Sequence, residues 1–119
     1  MHDLGELQAL LEAACTDAIL PGPLRFKAMF GGVTGYAGER PFASLSEIGL
    51  ALKLSKADRE VLARQGGKAL QYESDQTPSK SAIVVPEQIL CDPDALRTWA
   101  LRSARHVQSL AAPKPRRSR

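Results

Sequence analysis

Ile48-Gly49-Leu50-Ala51-Leu52-Lys53-Leu54 is the stretch that decides the fold. Large aliphatic side chains stand at 48, 50, 52 and 54, and small or charged ones at 49, 51 and 53. Side chains of an extended chain point alternately to two faces, so this segment reads as a strand with one buried face. Such a strand belongs to an antiparallel sheet covered on one side. The covering layer has to come from the flanking sequence.

Upstream, three more strand-like runs are separated by turn residues. Arg25 to Phe30 places Phe26, Ala28 and Phe30 on one face. Gly31-Gly32 tolerates positive φ and reads as a hairpin turn. Val33 to Ala37 is the second strand, Gly38-Glu39-Arg40-Pro41 the next turn, and Phe42 to Ser46 the third strand. Before the meander, Leu4, Leu7, Leu11, Ala14 and Ala18 recur at helical spacing, with Asp3 and Glu6 placed as a capping box. Pro21-Gly22-Pro23 ends that helix.

Downstream, Ser55 and Asp58 open a short helix that Gly66-Gly67 closes. Ala69 to Glu73 reads as a fifth strand, Ser74 to Lys80 as a polar loop, and Ala82 to Val85 as a short apolar strand. A single turn over Glu87 to Leu90 leads to the last helix. Asp92, Pro93 and Asp94 mark its start by cap, first-turn proline and dipole-compatible charge. Leu96, Trp99, Ala100, Val107 and Leu110 share one face, and Pro113 ends the helix. The fold class is α+β. An N-terminal helix, a four-strand meander, a short helix, one or two further strands and a C-terminal helix build an antiparallel sheet of five to six strands. The domain is expected to span residues 1–112, with a disordered basic tail at 113–119.

The composition narrows the function. The chain has 119 residues, suited to one domain, with 44% hydrophobic and 24% charged residues. No apolar run reaches membrane-spanning length and the N-terminus lacks a secretory signal, so the expected compartment is the cytoplasm. The net charge is +3, but no acidic residue follows Asp94. The basic character therefore reads as a property of the last helix and the tail. Lys114, Arg116, Arg117 and Arg119 are the candidate contacts to nucleic acid, and a short flexible segment of this kind binds phosphates weakly and without sequence preference.

Catalytic and metal chemistry finds little to work with. Gly31, Gly32, Gly35 and Gly38 lie among strands and do not lead into a helix, as a phosphate-binding loop requires. Cys15 and Cys91 could form a disulfide or redox pair; in a cytosolic chain two reduced, partly buried thiols are the expected state. His2 and His106 are far apart, and there is no Cys-x-x-Cys for zinc. His106 reads as a surface residue, and Glu39, Glu47, Glu73 and Asp75 as solvated residues near strand ends. No catalytic residue, cofactor or metal is expected. Tyr36, Phe42 and Tyr72 belong either to the core or to the second sheet face. Gly49 and Ala51 would make that face flat, which suits self-pairing.

Four landmarks then follow in order: Lys27-Ala28-Met29-Phe30-Gly31-Gly32, the Ile48-to-Leu54 strand with its short helix, Val85-Pro86-Glu87, and Asp92-Pro93-Asp94-Ala95-Leu96. In that order the chain resembles the N-terminal domain of the TfoX/Sxy family of bacterial competence regulators, over roughly residues 22 to 111. Met29, Phe30, Gly31 and Gly32 would be its structural turn motif. Where relatives often have a Tyr-rich strand before the Val-Pro step, this chain has Ser81-Ala82-Ile83-Val84. The chain looks like a stand-alone form without the helical second domain of full-length competence regulators. The resemblance implies a non-enzymatic regulatory or protein-interaction module, with a protein partner or a second copy of the chain and no membrane. The alternatives are a small-molecule or enzymatic pocket between sheet and helices, and weak nucleic-acid binding through the tail.

Overall fold

The computed structural model describes residues 3–15, 23–29, 32–70 and 81–109. Helix α1, Leu4–Ala14, opens on the expected capping box. The Asp3 carboxylate accepts from the Glu6 N–H at 2.8 Å, and the Glu6 carboxylate accepts from the Asp3 N–H at 3.0 Å. Leu7, Leu11 and Ala14 form its buried stripe. The helix closes at Cys15; Ala18 and most of the proline stop lie outside the described residues.

The meander follows as β1 (Leu24–Met29), β2 (Gly32–Ala37), β3 (Arg40–Ser46) and β4 (Gly49–Lys53). Helix α2, Lys56–Arg64, starts where the Ser55 hydroxyl accepts from the Asp58 N–H at 3.2 Å. It ends at Gln65, followed by Gly66 at a φ of 109°. Then come β5 (Lys68–Ala69), β6 (Ala82–Val84), α3 (Glu87–Leu90) and α4 (Pro93–Ser109). The Asp92 carboxylate accepts from the Ala95 N–H at 3.3 Å, the N-cap that the sequence marks. The six strands form one antiparallel sheet in the order β1-β2-β3-β4-β6-β5. The α+β expectation therefore holds. Of the expected fifth strand, Ala69 lies in β5 and the Leu70 N–H donates to the Ala82 carbonyl at 3.1 Å; Tyr72, Glu73 and Asp75 lie outside the described residues.

Paired residues on neighbouring strands share a face. Leu45 pairs with Leu50, and Leu52 pairs with both Ala43 and Ile83. These residues join Leu7 and Leu11 of α1, Leu62 of α2, Ile89 of α3, and Leu96, Trp99, Ala104 and Val107 of α4 in one buried cluster. The described helices thus contribute to the core on one face of the sheet.

Helix α4 is fastened by polar contacts as well. Between β2 and β3 the register shifts, so that Gly35 faces Ala43, Tyr36 faces Pro41, and Phe42 has no direct partner on β2. Ser103, fully buried on α4, donates its single hydroxyl proton to the carbonyls of Phe42 and Lys53, at 2.9 and 2.7 Å. The Gln108 amide donates to the Ala37 carbonyl at 3.1 Å, and Arg40 donates to the Val107 carbonyl at 3.1 Å. One helix therefore grips β2, β3 and β4.

Two local expectations are corrected. Ile48 is a turn residue outside the core cluster, its N–H donating to the Ser46 hydroxyl. Gly32 is an extended β2 residue; the positive-φ glycines among the described residues are Gly38, Gly49 and Gly66. Met29 pairs with Gly32, and Phe30 and Gly31 between them lie outside the described residues. Gly32 is needed for a different reason: a Cβ there would stand 2.7 Å from the Leu45 carbonyl oxygen. Backbone, unlike the end of a side chain, yields only by moving a strand. Gly32→Ala is expected to cost about 1–3 kcal/mol, read as a lower urea midpoint. An unchanged midpoint would show that β3 gives way freely.

Candidate functional site

The residues that point away from the helices form two rows across the sheet. The register joins Lys27, Thr34, Ser44, Ala51, Val84 and Lys68 in one. In the other, Arg25 pairs with Tyr36 and Tyr36 with Pro41, and on the far strands Lys53 pairs with Ala82. The Arg25 guanidinium lies 5.7 Å from the centre of the Tyr36 ring and donates to the Gly38 carbonyl at 3.3 Å. Ala51 and Ala82 are buried, yet neither belongs to the helix-side core.

A cavity of about 350 Å³ opens on this face, lined by Thr34, Tyr36, Pro41, Ala51, Lys53 and Ala82 among others. Its size falls in the ordinary range of ligand sites. Lys53 is half-buried and, among the described residues, makes no ion pair. A second, wider recess of about 590 Å³ lies toward β5 and β6, with Ile48, Lys68, Val84 and Pro86 in its walls. Ile48 thus lines an open hollow. A third recess of about 300 Å³ lies between α2 and the β5–β6 edge, lined by Arg59, Glu60, Ala63 and Ile83. It is the described counterpart of the sheet–helix pocket read as an alternative.

The residues singled out in the sequence fall differently. Lys114, Arg116, Arg117 and Arg119 lie outside the described residues, as do Phe30 and Gly31 of the turn motif. Glu39 and Glu47 are exposed turn residues, as read. His106 is half-buried on α4. Among the described residues no group of three His, Cys, Asp or Glu could hold a metal ion. The basic character assigned to the last helix and tail is only part of the pattern, because Arg25, Lys27, Lys53 and Lys68 also share the face opposite the described helices. The signal was present in β1, where Arg25 and Lys27 alternate with Leu24, Phe26 and Ala28.

Both thiols are free, but they differ in setting. Cys15 is buried, and burial pushes its thiol up to about 11, partly opposed by the positive charge of Arg97. Cys91, expected to be partly buried, is exposed. Its thiol donates to the Glu87 carboxylate at 3.0 Å, which raises its pKa. The thiolate is the nucleophile, and these settings disfavour it.

The Cys15 shift has a signed consequence for stability. The folded thiol holds its proton above the ordinary thiol value of 9.0, whereas the unfolded chain releases it there. The contribution is complete below pH 9 and is lost as pH rises to about 11. The loss amounts to about 3 kcal/mol. Urea midpoints of the native chain and Cys15→Ala, compared at the two ends of that window, isolate it from other titrations. Parallel behaviour of the two proteins would refute the shift.

An antiparallel sheet with its described helices on one face, and cations and hydroxyls on the other, defines an α+β domain. The family model for the TfoX N-terminal domain matches residues 17–107, and the chain belongs to that family. The match runs from before β1 almost to the end of α4, and α1 precedes it. No curated protein matches the chain. Among the described residues no helix is long and apolar enough to cross a membrane.

Proposed function

We propose that this TfoX N-terminal domain is a non-enzymatic regulatory module that works in the cytoplasm by docking another protein. The observation that carries this reading is the second sheet face. A face without helix cover normally turns solvent-polar throughout. Here the half-buried apolar residues Val84 and Pro41 stand among hydroxyls and cations in two rows. A mixed surface of this kind suits protein recognition better than it suits catalysis, which needs convergent acid, base or nucleophile groups.

The test is cross-linking and capture from the native cell, using the full chain and a form ending at Ala112. A stoichiometric protein partner held by both forms is the expected result. Two outcomes would overturn the reading. One is the absence of any protein partner together with turnover of a small molecule. The other is capture of nucleic acid alone, lost with the tail and with rising salt.

A further inference from the structure

We propose that the outer edge of β1 accepts an added strand from a partner protein, one that alternates apolar and acidic residues. This rests on the regulatory reading above and gives the partner a motif. β1 stands at one end of the strand order, with β2 as its neighbour. The register fixes which of its backbone groups face outward. The Gly38 N–H donates to the Pro23 carbonyl at 2.9 Å, so Pro23 and Gly38 form a hydrogen-bonded pair. Such pairs recur at every second residue of an antiparallel ladder. Arg25 with Tyr36, Lys27 with Thr34 and Met29 with Gly32 are therefore the bonded pairs. Leu24, Phe26 and Ala28 turn their N–H and C=O groups the other way, off the sheet. Among the described residues no hydrogen bond takes up these groups, and Arg25, Lys27 and Ala28 are exposed. An unpaired edge of this kind is a template for another strand.

The side chains along the edge set what that strand must carry. Arg25 and Lys27 lie on one face; Leu24, Phe26 and Ala28 lie on the other, where Leu24 and Phe26 pack against the core. Residues opposite each other on neighbouring strands share a face. An antiparallel partner bonded to Leu24, Phe26 and Ala28 therefore gains by placing apolar side chains beside them and acidic ones opposite Arg25 and Lys27. Residues 24–28 thus call for the order apolar, acidic, apolar, acidic, apolar. Lys27 makes no ion pair among the described residues, whereas Arg25 is shared with the Tyr36 ring and the Gly38 carbonyl. Lys27 is therefore the stronger selector of the two.

A second copy of the chain fits this edge less well. Antiparallel pairing that sets Leu24 against Ala28 of the copy also sets Arg25 against Lys27. Shifting the register by two residues brings Arg25 against Arg25, or Lys27 against Lys27. Like charges directly opposite each other are destabilising. A nucleic acid has no row of alternating N–H and C=O groups with which to continue the ladder.

The experiment selects from a displayed library of random short peptides against the full chain, then titrates the winning peptide. The expected winners alternate apolar residues with Asp or Glu. Methylating the backbone nitrogens of a winner one at a time should abolish binding at alternate positions only, those whose N–H faces β1. Ala28→Pro removes an outward N–H at an exposed position without breaking a bond to β2, and proline is tolerated on such an edge. It should weaken the peptide about tenfold. Lys27→Glu should weaken it about fivefold. Arg105→Glu, exposed on α4, should leave it unchanged. Thermal unfolding confirms that each variant is folded, and the methylated peptides test the edge on the native chain if Ala28→Pro is not. The proposal is overturned by winners without alternating acidic residues, by no enrichment, by methylation effects without that alternation, or by a peptide that Ala28→Pro and Lys27→Glu still hold. Dimerisation of the native chain that Ala28→Pro abolishes would overturn it in favour of a second copy. A native partner that both variants still capture would overturn this edge and leave the regulatory reading intact.

Discussion

Replacing Trp99 by alanine is expected to destabilise the domain by about 3–5 kcal/mol. Trp99 is the single tryptophan of the chain and is 8% exposed. It sits in the middle of α4, within the cluster that joins that helix to α1 and the sheet. The Arg102 guanidinium lies 5.4 Å from the ring centre, with its own ion pair to Asp58 at 2.9 Å on the surface. That exposed pair contributes little, so the loss comes from the vacated volume. Domains of this size hold only about 5–15 kcal/mol in all, so the variant should be partly unfolded or close to it. Native emission should be blue-shifted and should move to the red with denaturant. Native emission typical of full water exposure, or an unchanged urea midpoint, would contradict the packing.

The second large effect is expected from Leu52→Ala, at about 2–5 kcal/mol, against about 1 kcal/mol or less for Ile48→Ala. In the sequence the two residues belong to one alternating series. In the fold Leu52 is fully buried, on a central strand, between Ala43 and Ile83. Ile48 is half-buried in a turn, facing an open recess. Matched denaturation curves decide between the two descriptions. Equal losses would place Ile48 back in the core.

That contrast shows what could be read in the chain. Local signals were dependable. The capping residues Asp3, Ser55 and Asp92 each begin a helix or lie directly before one. The alternation at Leu50 and Leu52 identifies the buried face of β4. Signals that depend on distant strands were not legible. Nothing near Gly32 announces that the Leu45 carbonyl will approach it, so a glycine needed for contact was read as one needed for a turn. The bulge that isolates Phe42, and the entry of β6 between β4 and β5, are likewise consequences of pairing. The candidate site is the same case. The tail cations are contiguous and catch the eye, whereas Arg25, Lys27, Lys53 and Lys68 are dispersed over three strands and meet only when those strands take their places in one sheet.

The place of β6 also bears on how the protein is born. Synthesis runs from the N-terminus, so the four meander strands leave the ribosome well before Ala82–Val84 and before α4. During that interval the outer edge of β4 has no neighbour, and Leu45, Leu50 and Leu52 lack the helix that later lies over them. An unpaired edge beside an apolar face is the combination that invites one nascent chain to lend its strand to another. Residues 82–109 close that edge and cover that apolar face once they have been made.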